Sequence, residues 1–498
     1  MDPTQPETNP LNLDSQIYEL LLSLRKSGGR PLLIGGWVRD RLLGITTGDL
    51  DIEVFNLPLE VLKQICRHHG RLITVGATFA VLKLTLRNGI TIDISVPRRE
   101  RQIGKGHKTF QIQADPFMTI EEAAQRRDLT INAISMDPFS ATLIDPVKGA
   151  EDLKKGILRH IGPRFSEDPL RVLRVYRFQS RFGFVIAPET REICRSLSDG
   201  SALQTLARER IEEELRKTIL DGEKAAIVLA LTNMYEDGVM HSLFPELDRL
   251  SQVDQDPRYH AEGNVLIHTI LTVAEAASIA RRDNLEPDIA WALSLAALVH
   301  DLGKAHTTAT DNEGNIKSHG HEKAGRQPAT RLLDRITEHS KVRDIALALA
   351  VNHMRPLHLA KAGKVTDAAI RRLAVSVQPA SLSLLSKLVE ADTLASIRGD
   401  GSEPENAHLF LMERAKSLGI ETAPPKPIIQ GRDLIQLAKD GIIPKQYSKG
   451  GLHFADVLKT LYHQQLNGKF STREDAIVYL LFLCKGNRKL SDNLNNNI

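Results

Sequence analysis

An α+β protein, with a small mixed β-sheet head followed by a long α-helical remainder, is what this sequence of 498 residues predicts. Three observations carry that expectation. Short β-rich stretches alternate with helical ones between about residues 15 and 150, whereas helical periodicity dominates afterwards, with few β-branched runs. A composition of 42% apolar and 26% charged residues suits a globular chain with a sizeable core. The length, at about 150 residues per domain, suggests roughly three domains. No apolar run approaches the roughly 18 residues of a membrane helix; the best are Ile289–Val299 and Ala476–Cys484.

Taken in order, residues 1–14 (MDPTQPETNPLNLD) are polar and acidic, which predicts a disordered tail rather than a signal or transit peptide. Leu32–Ile34, Leu50–Phe55, Ala80–Leu86 and Ile90–Val96 read as strands, the last two joined through Arg87-Asn88-Gly89, a hairpin signal. After residue 150 the chain reads as helix. The Pro-rich run Ala423-Pro-Pro-Lys-Pro427 marks a linker before a last helical segment, and residues 487–498 form a second polar tail. Cys66, Cys194 and Cys484 lie far apart, so neither a disulfide framework nor a CxxC metal site is implied, and a cytoplasmic protein is expected.

The net charge of +3 is too small to argue for a polyanionic partner, so its distribution matters more. Arg98–Lys108 and Lys154–Arg181 are strongly basic, and a run of this kind is most simply a solvated face. Both, however, lie near groups suited to phosphate chemistry. An apolar strand runs into Gly35-Gly36, whose missing side chains let backbone N–H groups approach a phosphate. Arg39, one turn into the following helix, can hold the same phosphates through its guanidinium. Asp49 and Asp51 are two apart, so on a strand both carboxylates point to one face. Two convergent carboxylates are what a pair of Mg²⁺ ions about 3.5–4 Å apart require for in-line phosphoryl transfer. Asp93, on a later strand, is a third acid for the same site. A DxD by itself is common in turns; the glycine turn and Arg39 give this one its weight. No GxxxxGK[ST] occurs, which disfavours a P-loop ATPase.

GGWVRDRLLG (35–44) and GDLDIEVF (48–55) resemble the head motif of the class II polymerase-β-type nucleotidyltransferases, which include CCA-adding tRNA nucleotidyltransferases and bacterial poly(A) polymerases. RRDLTINA (126–133), DPVKGAED (145–152), EDPLRVLR (167–174) with Arg177-Phe178, and ERIEEELR (209–216) follow in the family's order. The resemblance implies a catalytic head over 15–150 and a nucleotide-selecting helical neck over 151–225. It also implies a helical body over 226–422 and a helical tail over 423–486. It implies metal binding and catalysis by Asp49, Asp51 and Asp93, with tRNA, CTP and ATP as partners and no membrane.

In the neck, Glu167, Asp168, Arg171, Arg174, Arg177 and Arg181 recur every three or four residues, on one side of a helix. An ion-paired, solvent-facing stripe explains that spacing simply. Cytosine and adenine, however, each present an amino donor beside a ring-nitrogen acceptor, whereas uracil and guanine present the reverse. A carboxylate (Asp168) with a guanidinium (Arg171) complements the first two. The family implies this role for the EDxxR block, with Glu167 supporting it, Arg174 and Arg177 holding the nucleotide, and Arg127 on the triphosphate beside Gly35, Gly36 and Arg39. Asp128 reads as a structural or orienting acid. Poly(A) polymerases of the family carry a GRRF-like stretch before the third carboxylate; this chain has GATFAVL (76–82), which looks like the CCA-adding side. Arg98–Phe110 fits a flexible loop that helps the switch from C to A addition. CC-only, A-only and poly(A) addition stay open as alternatives, as does an RNA-directed phosphohydrolase with an inactive head.

A second constellation comprises His268, His300-Asp301 within VHDLGK, His319, His321, His353 and Asp392. Scattered His and Asp on separate helices can converge on one or two divalent metals, though a single such His is usually a satisfied core or surface residue. The His-Asp pair followed by Leu-Gly-Lys resembles the HD phosphohydrolase superfamily, with His268, His300, Asp301 and Asp392 as the four implied ligands of a metal of unspecified identity. HGHE (319–322) resembles the HD-bearing, multifunctional CCA-adding enzymes of some bacteria. In those the body is implied to hydrolyse 2′,3′-cyclic phosphates and phosphomonoesters, which would clean damaged tRNA 3′ ends. The tail from Gly431 to Phe470 more weakly resembles a segment contacting the tRNA elbow.

Overall fold

The computed structural model describes residues 9–46, 48–75, 81–102, 110–403, 405–449 and 452–486. The chain divides into two compact units, residues 1–248 and 249–498. Among the described residues no helix is long and apolar enough to cross a membrane.

The first unit is built on a mixed seven-stranded sheet. In chain order its strands are β1 (Arg30–Ile34), β2 (Asp51–Phe55), β3 (Gly70–Val75), β4 (Val81–Leu86) and β5 (Thr91–Ser95). A separate hairpin follows, β6 (Arg98–Gln102) with β7 (Phe110–Ala114), and then the short β8 (Ser135–Met136) and β9 (Leu143–Ile144) return to the sheet. The order across the sheet is β3-β4-β5-β2-β1-β8-β9. Only β2 and β5 among these pair in parallel. Alternation sorts the two faces. Ile52, Val54, Leu82, Leu84, Ile92 and Ile94 are buried, while Asp51, Glu53, Lys83, Asp93 and Ser95 fall on the opposite face. Against the apolar side lies the helix Ser15–Lys26, whose Ile17, Leu20, Leu21 and Leu24 form one buried stripe and whose Asp14 caps the first turn.

Four expected strands thus fall on β1, β2, β4 and β5, and the expected hairpin at Arg87-Asn88-Gly89 joins β4 to β5, with Gly89 at φ +87°. The sequence reading did not anticipate β3, because its first residue, Gly70, is also the C-cap of the helix Leu59–His69, so helix passes directly into strand. Both ends of the expected flexible loop Arg98–Phe110 are paired strand; residues 103–109 lie outside the described residues. So do 76–80 of the GATFAVL stretch, 1–8, and the C-terminal 487–498. Residues 9–14, assigned to a tail by composition, bury Leu11 and bond Asn9 to Leu13.

The rest of this unit is mostly helical, led by Leu170–Phe182, Pro188–Asp199, Arg208–Leu220 and Lys224–Glu236, with one short parallel pair, Ile157–Leu158 and Val185–Ile186. In the second unit, Pro287–Val299 is buried from Ala290 to Val299 on every side. That explains its apolar run, broken only by Ser294, which donates to the Ala290 carbonyl: it is a central helix, not a membrane span. Val265–Arg282, Ser340–Ala350 and Leu382–Ala395 pack around it. The segment beyond residue 427 has a small core of its own, including Leu434, Leu437, Leu461 and Leu480.

Candidate functional site

On the polar face of the sheet, Asp51 and Asp93 are register partners on the parallel pair β2 and β5, so their carboxylates stand side by side. Asp49, exposed, immediately precedes β2. Burial first, and then the Asp93 carboxylate, push the Asp51 carboxyl up to about 6. Lys83, the cross-strand partner of Asp93, reaches it at only 3.8 Å and lies half exposed, so the acids are not neutralised from within the sheet. Crowded carboxylates of this kind fit divalent cations with oxygen preference. Gly35 adopts φ +65°, and a Cβ there would stand 3.4 Å from Arg127 Nη1 and 3.6 Å from Asp51 Oδ2. The glycine therefore keeps open the ground between the acids and Arg127, whose other nitrogen lies 3.5 Å from Glu53.

The expected arginines are present, but their partners differ from the expectation. Arg39 is turned inward, 3% exposed, donating to Asp40 and Asn132 and lying over Phe178 and Phe182. Its guanidinium braces the turn at Gly36 instead of projecting from it. Arg174 binds Asp128 at 2.6 Å and approaches Glu214; Arg177 shares Glu214; Arg181 reaches Asp40 at 2.7 Å. The stripe on the helix Leu170–Phe182 is thus ion-paired, yet packed on buried acids rather than facing solvent. Burial would raise the Asp128 carboxyl, but Arg174, with hydrogen bonds from Asn132 and the Leu129 N–H, outweighs it and holds the group well below the usual range. Asp168 accepts from Arg210 and the Leu170 N–H, while Arg171 donates to the carbonyls of Arg164 and Arg126. Glu167 stands exposed beside them. Asp40, Asn132 and Glu214 were not singled out from sequence; each is a buried partner of an arginine that was.

In the second unit the His and Asp residues converge from separate elements. His268 lies one turn into Val265–Arg282, His300-Asp301 end Pro287–Val299, His353 follows Ser340–Ala350, and Asp392 lies on Leu382–Ala395. Around Asp301, His300 Nε2 lies at 3.2 Å, His321 Nε2 at 3.2 Å, His353 Nε2 at 3.8 Å and His268 Nε2 at 3.9 Å. Asp392 Oδ1 is 3.0 Å from His268 Nε2. His300, His321 and His353 each donate Nδ1–H to the carbonyl three residues back, at 2.6–2.8 Å, which leaves Nε2 facing inward. Burial, then His300 and His321, push the His353 imidazole down to about 3, so it is neutral and able to ligate. The Asp301 carboxylate is wholly buried, with the Lys304 ammonium at 2.7 Å and imidazole Nε2 atoms around the rest of it, an arrangement that fits metal ligands converging on one point. Two overlapping triads, His268-His300-Asp392 and His300-Asp301-His353, have ligand geometry.

All four expected ligands are therefore together, joined by His321 and His353; His319 instead lies exposed on the wall of the adjoining cavity of about 510 Å³. Gly303 explains part of the VHDLGK spacing, because a Cβ there would lie 1.9 Å from the His321 carbonyl oxygen. The sequence reading missed Glu262 and His260, which form a further triad with His268. Their signal was the HAEGN stretch just ahead of His268.

Comparison with known proteins matches residues 32–159 to the poly A polymerase head domain, 183–250 to a probable RNA and SrmB-binding site of polymerase A, and 265–390 to the HD domain. Divalent-metal chemistry is general to the nucleotidyltransferase and HD domains. A multifunctional CCA protein of Xanthomonas campestris pv. campestris (strain B100) is 34% identical over 367 residues, covering 72% of this chain and 84% of that one. One from Acinetobacter baumannii is 36% identical over 327 residues, covering 65% and 74%. Among solved structures, the Bacillus stearothermophilus CCA-adding enzyme in complex with CTP superposes with a TM-score of 0.63 at 22% identity, covering 96% of this chain and 100% of that one. The Thermotoga maritima CCA-adding enzyme complexed with tRNA gives 0.56 at 20% identity, covering 95% and 97%. At those identities the structures speak to the fold.

Proposed function

The chain belongs to the family of multifunctional CCA proteins, and from that premise we propose that it adds C, C and A to tRNA 3′ ends from CTP and ATP, and hydrolyses phosphate esters at its His-Asp cluster. The observation that carries the first activity is the register of Asp51 with Asp93 on parallel strands, with Asp49 just ahead. These three carboxylates would hold Mg²⁺, which when bound stabilises charge on the transferring phosphoryl group and lowers the pKa of an attacking hydroxyl. The tRNA 3′-hydroxyl oxygen bonds to the α-phosphorus and its proton passes to solvent, while the bond from the α-phosphorus to the oxygen bridging to the β-phosphate breaks and pyrophosphate leaves.

The protein's own groups set the geometry of that transfer. Arg127 supports the triphosphate across the space that Gly35 leaves open. Arg39 acts through the Gly36 turn it braces. Asp168 and Arg171 read the amino and ring-nitrogen edge shared by cytosine and adenine, which requires Asp168 to exchange Arg210, and Arg171 its carbonyl partners, for the base. Arg174 and Arg177 act from the buried side, holding the reading helix against Asp128 and Glu214.

At the second site His268, His300, Asp301 and Asp392, with His321 and His353, would hold a divalent metal, which when bound activates water for attack on a phosphate. Lys304, 2.7 Å from Asp301, sets one wall of the cavity and is suited to the substrate's charge. Such hydrolysis trims damaged 3′ ends before repair, in the cytoplasm where tRNA matures.

The test is incorporation of labelled CTP and ATP, separately and together, into tRNA lacking its CCA, with Mg²⁺. Two C's followed by one A support the reading. Two C's without A, even with ATP present, make it a CC-adding enzyme, and a long tail from ATP alone makes it a poly(A) polymerase.

A further inference from the structure

We propose that Glu262 is the positioning residue of the His-Asp cluster: it fixes the ring of His268 and ties that ligand to the chain that carries Asp392. The inference rests on the reading of this cluster as a divalent-metal site. It starts from a difference among the four histidines. His300, His321 and His353 sit at helix ends or turns, where the carbonyl three residues back takes Nδ1–H. His268 lies inside a helix, where such carbonyls are already engaged; the one three residues back, of Val265, accepts from the Thr269 hydroxyl at 2.8 Å. Its Nδ1 needs a side-chain acceptor, and Glu262 Oε1 is 2.9 Å away.

A carboxylate only accepts, so it dictates that Nδ1 carries the proton and that Nε2 faces Asp392, Asp301 and the ligand space. Glu262 is itself immobilised. Its side chain is 1% exposed, Oε1 also accepts from His260 Nδ1 at 2.8 Å, and Oε2 accepts from the Ile397 N–H at 2.8 Å. The Ala261 N–H donates to the Ile397 carbonyl, and the Ser396 N–H to the Asp392 carbonyl, so the segment Glu262 grips begins at Asp392 itself. One buried carboxylate thus joins the first ligand in the chain to the last, 124 residues apart.

The experiment titrates Co²⁺ into the metal-stripped full-length protein, reading the visible absorption of histidine-ligated Co²⁺ and its affinity by chelator competition. Glu262→Gln is near-isosteric, but its amide donates where a third donor must be accepted. It should weaken Co²⁺ binding by about 10- to 100-fold and shift the absorption band, with unchanged circular dichroism. His260→Ala removes only the second donor to Oε1, leaves Glu262 on His268, and should weaken Co²⁺ binding far less than Glu262→Gln does. Wild-type affinity in Glu262→Gln overturns the proposal, as does an equal loss in His260→Ala or a loss matched by unfolding, since each would make the contact merely structural. A wild-type protein that shows no histidine-ligated Co²⁺ overturns the metal-site reading itself, a result distinguishable from the others.

Discussion

At Gly303 the whole second site hangs on one absent methyl group. Adding a Cβ would place it 1.9 Å from the His321 carbonyl oxygen, and the obstacle is backbone, which cannot rotate away. Gly303→Ala must therefore push the His300-Asp301 turn away from His321. A displacement of about 1 Å at reacting groups costs on the order of a hundredfold. Hydrolysis of a 2′,3′-cyclic phosphate should fall by about that factor, measured as kcat on a defined oligonucleotide, while nucleotide incorporation continues. Unchanged hydrolysis would mean that the close approach is incidental to the ligand set. Individual residues were legible where chemistry repeats along the chain at a fixed interval. Asp49 and Asp51 announce themselves by spacing, and the His-Asp pair by adjacency. Glu262 and Glu214 do not, because their roles come from partners that are close only after folding. Arg39 stands out in the sequence by its place one turn after the glycine pair, but not as a buried residue; nothing local foretells that Asp40, Asn132 and two phenylalanines close around it.

At the scale of elements, the helix Leu170–Phe182 is held by ion pairs to two buried acids, Arg174 to Asp128 and Arg181 to Asp40 on the helix Gly36–Leu42. Its apolar face, with Val172, Val175, Tyr176 and Phe178 buried, packs on neighbouring helices. Removing one member of a buried pair strands the other charge, at about 3–5 kcal/mol. Asp128→Asn should lower unfolding stability by that order, followed by Trp37 emission in a Trp291→Phe background. The acid dependence follows from the same pair. The folded carboxyl of Asp128 lies below its unfolded value of about 3.9, so the folded state resists protonation. Its contribution is complete above about pH 4 and is lost as pH falls towards the folded value. Wild type should lose stability more steeply below pH 4 than the Asn variant; parallel slopes would show that Asp128 is not the ionised partner. The helix itself was plain from spacing in the sequence. Its burial was not, because a cationic stripe reads alike whether water or buried carboxylates face it.

At the scale of the whole molecule, two sites of different chemistry lie in two compact units. The first brings carboxylates together on neighbouring strands; the second brings imidazoles and carboxylates together from separate helices and turns. The change from alternating to helical periodicity falls near residue 150, inside the first unit and not at its end after residue 248, while the family resemblance drawn from the ordered motifs agrees with the relatives found. Strand β3 and the hairpin β6–β7 were not legible: Gly70 at the start of β3 reads equally as the end of the helix before it, and β6 (RRERQ) carries no apolar residue to show strand alternation. Each unit also closes its own core: Leu32, Ile52 and Leu84 in the first, Trp291, Leu295 and Leu388 in the second. Separate cores and separate ligand sets imply that the activities can be removed one at a time. Asp51→Asn takes away a carboxylate whose loss forfeits several kcal/mol of transition-state stabilisation, about a thousandfold in incorporation at ~4 kcal/mol. Binding of tRNA should persist, because affinity is spread over many phosphate contacts, and phosphate-ester hydrolysis should be unchanged. His300→Ala should give the reverse, with hydrolysis lost and two C's and one A still added. Measuring both reactions on both variants decides the matter. If either substitution abolishes both activities while circular dichroism stays native, the sites are coupled, and the second unit is part of the nucleotidyl-transfer machinery rather than a separate catalyst on the same chain.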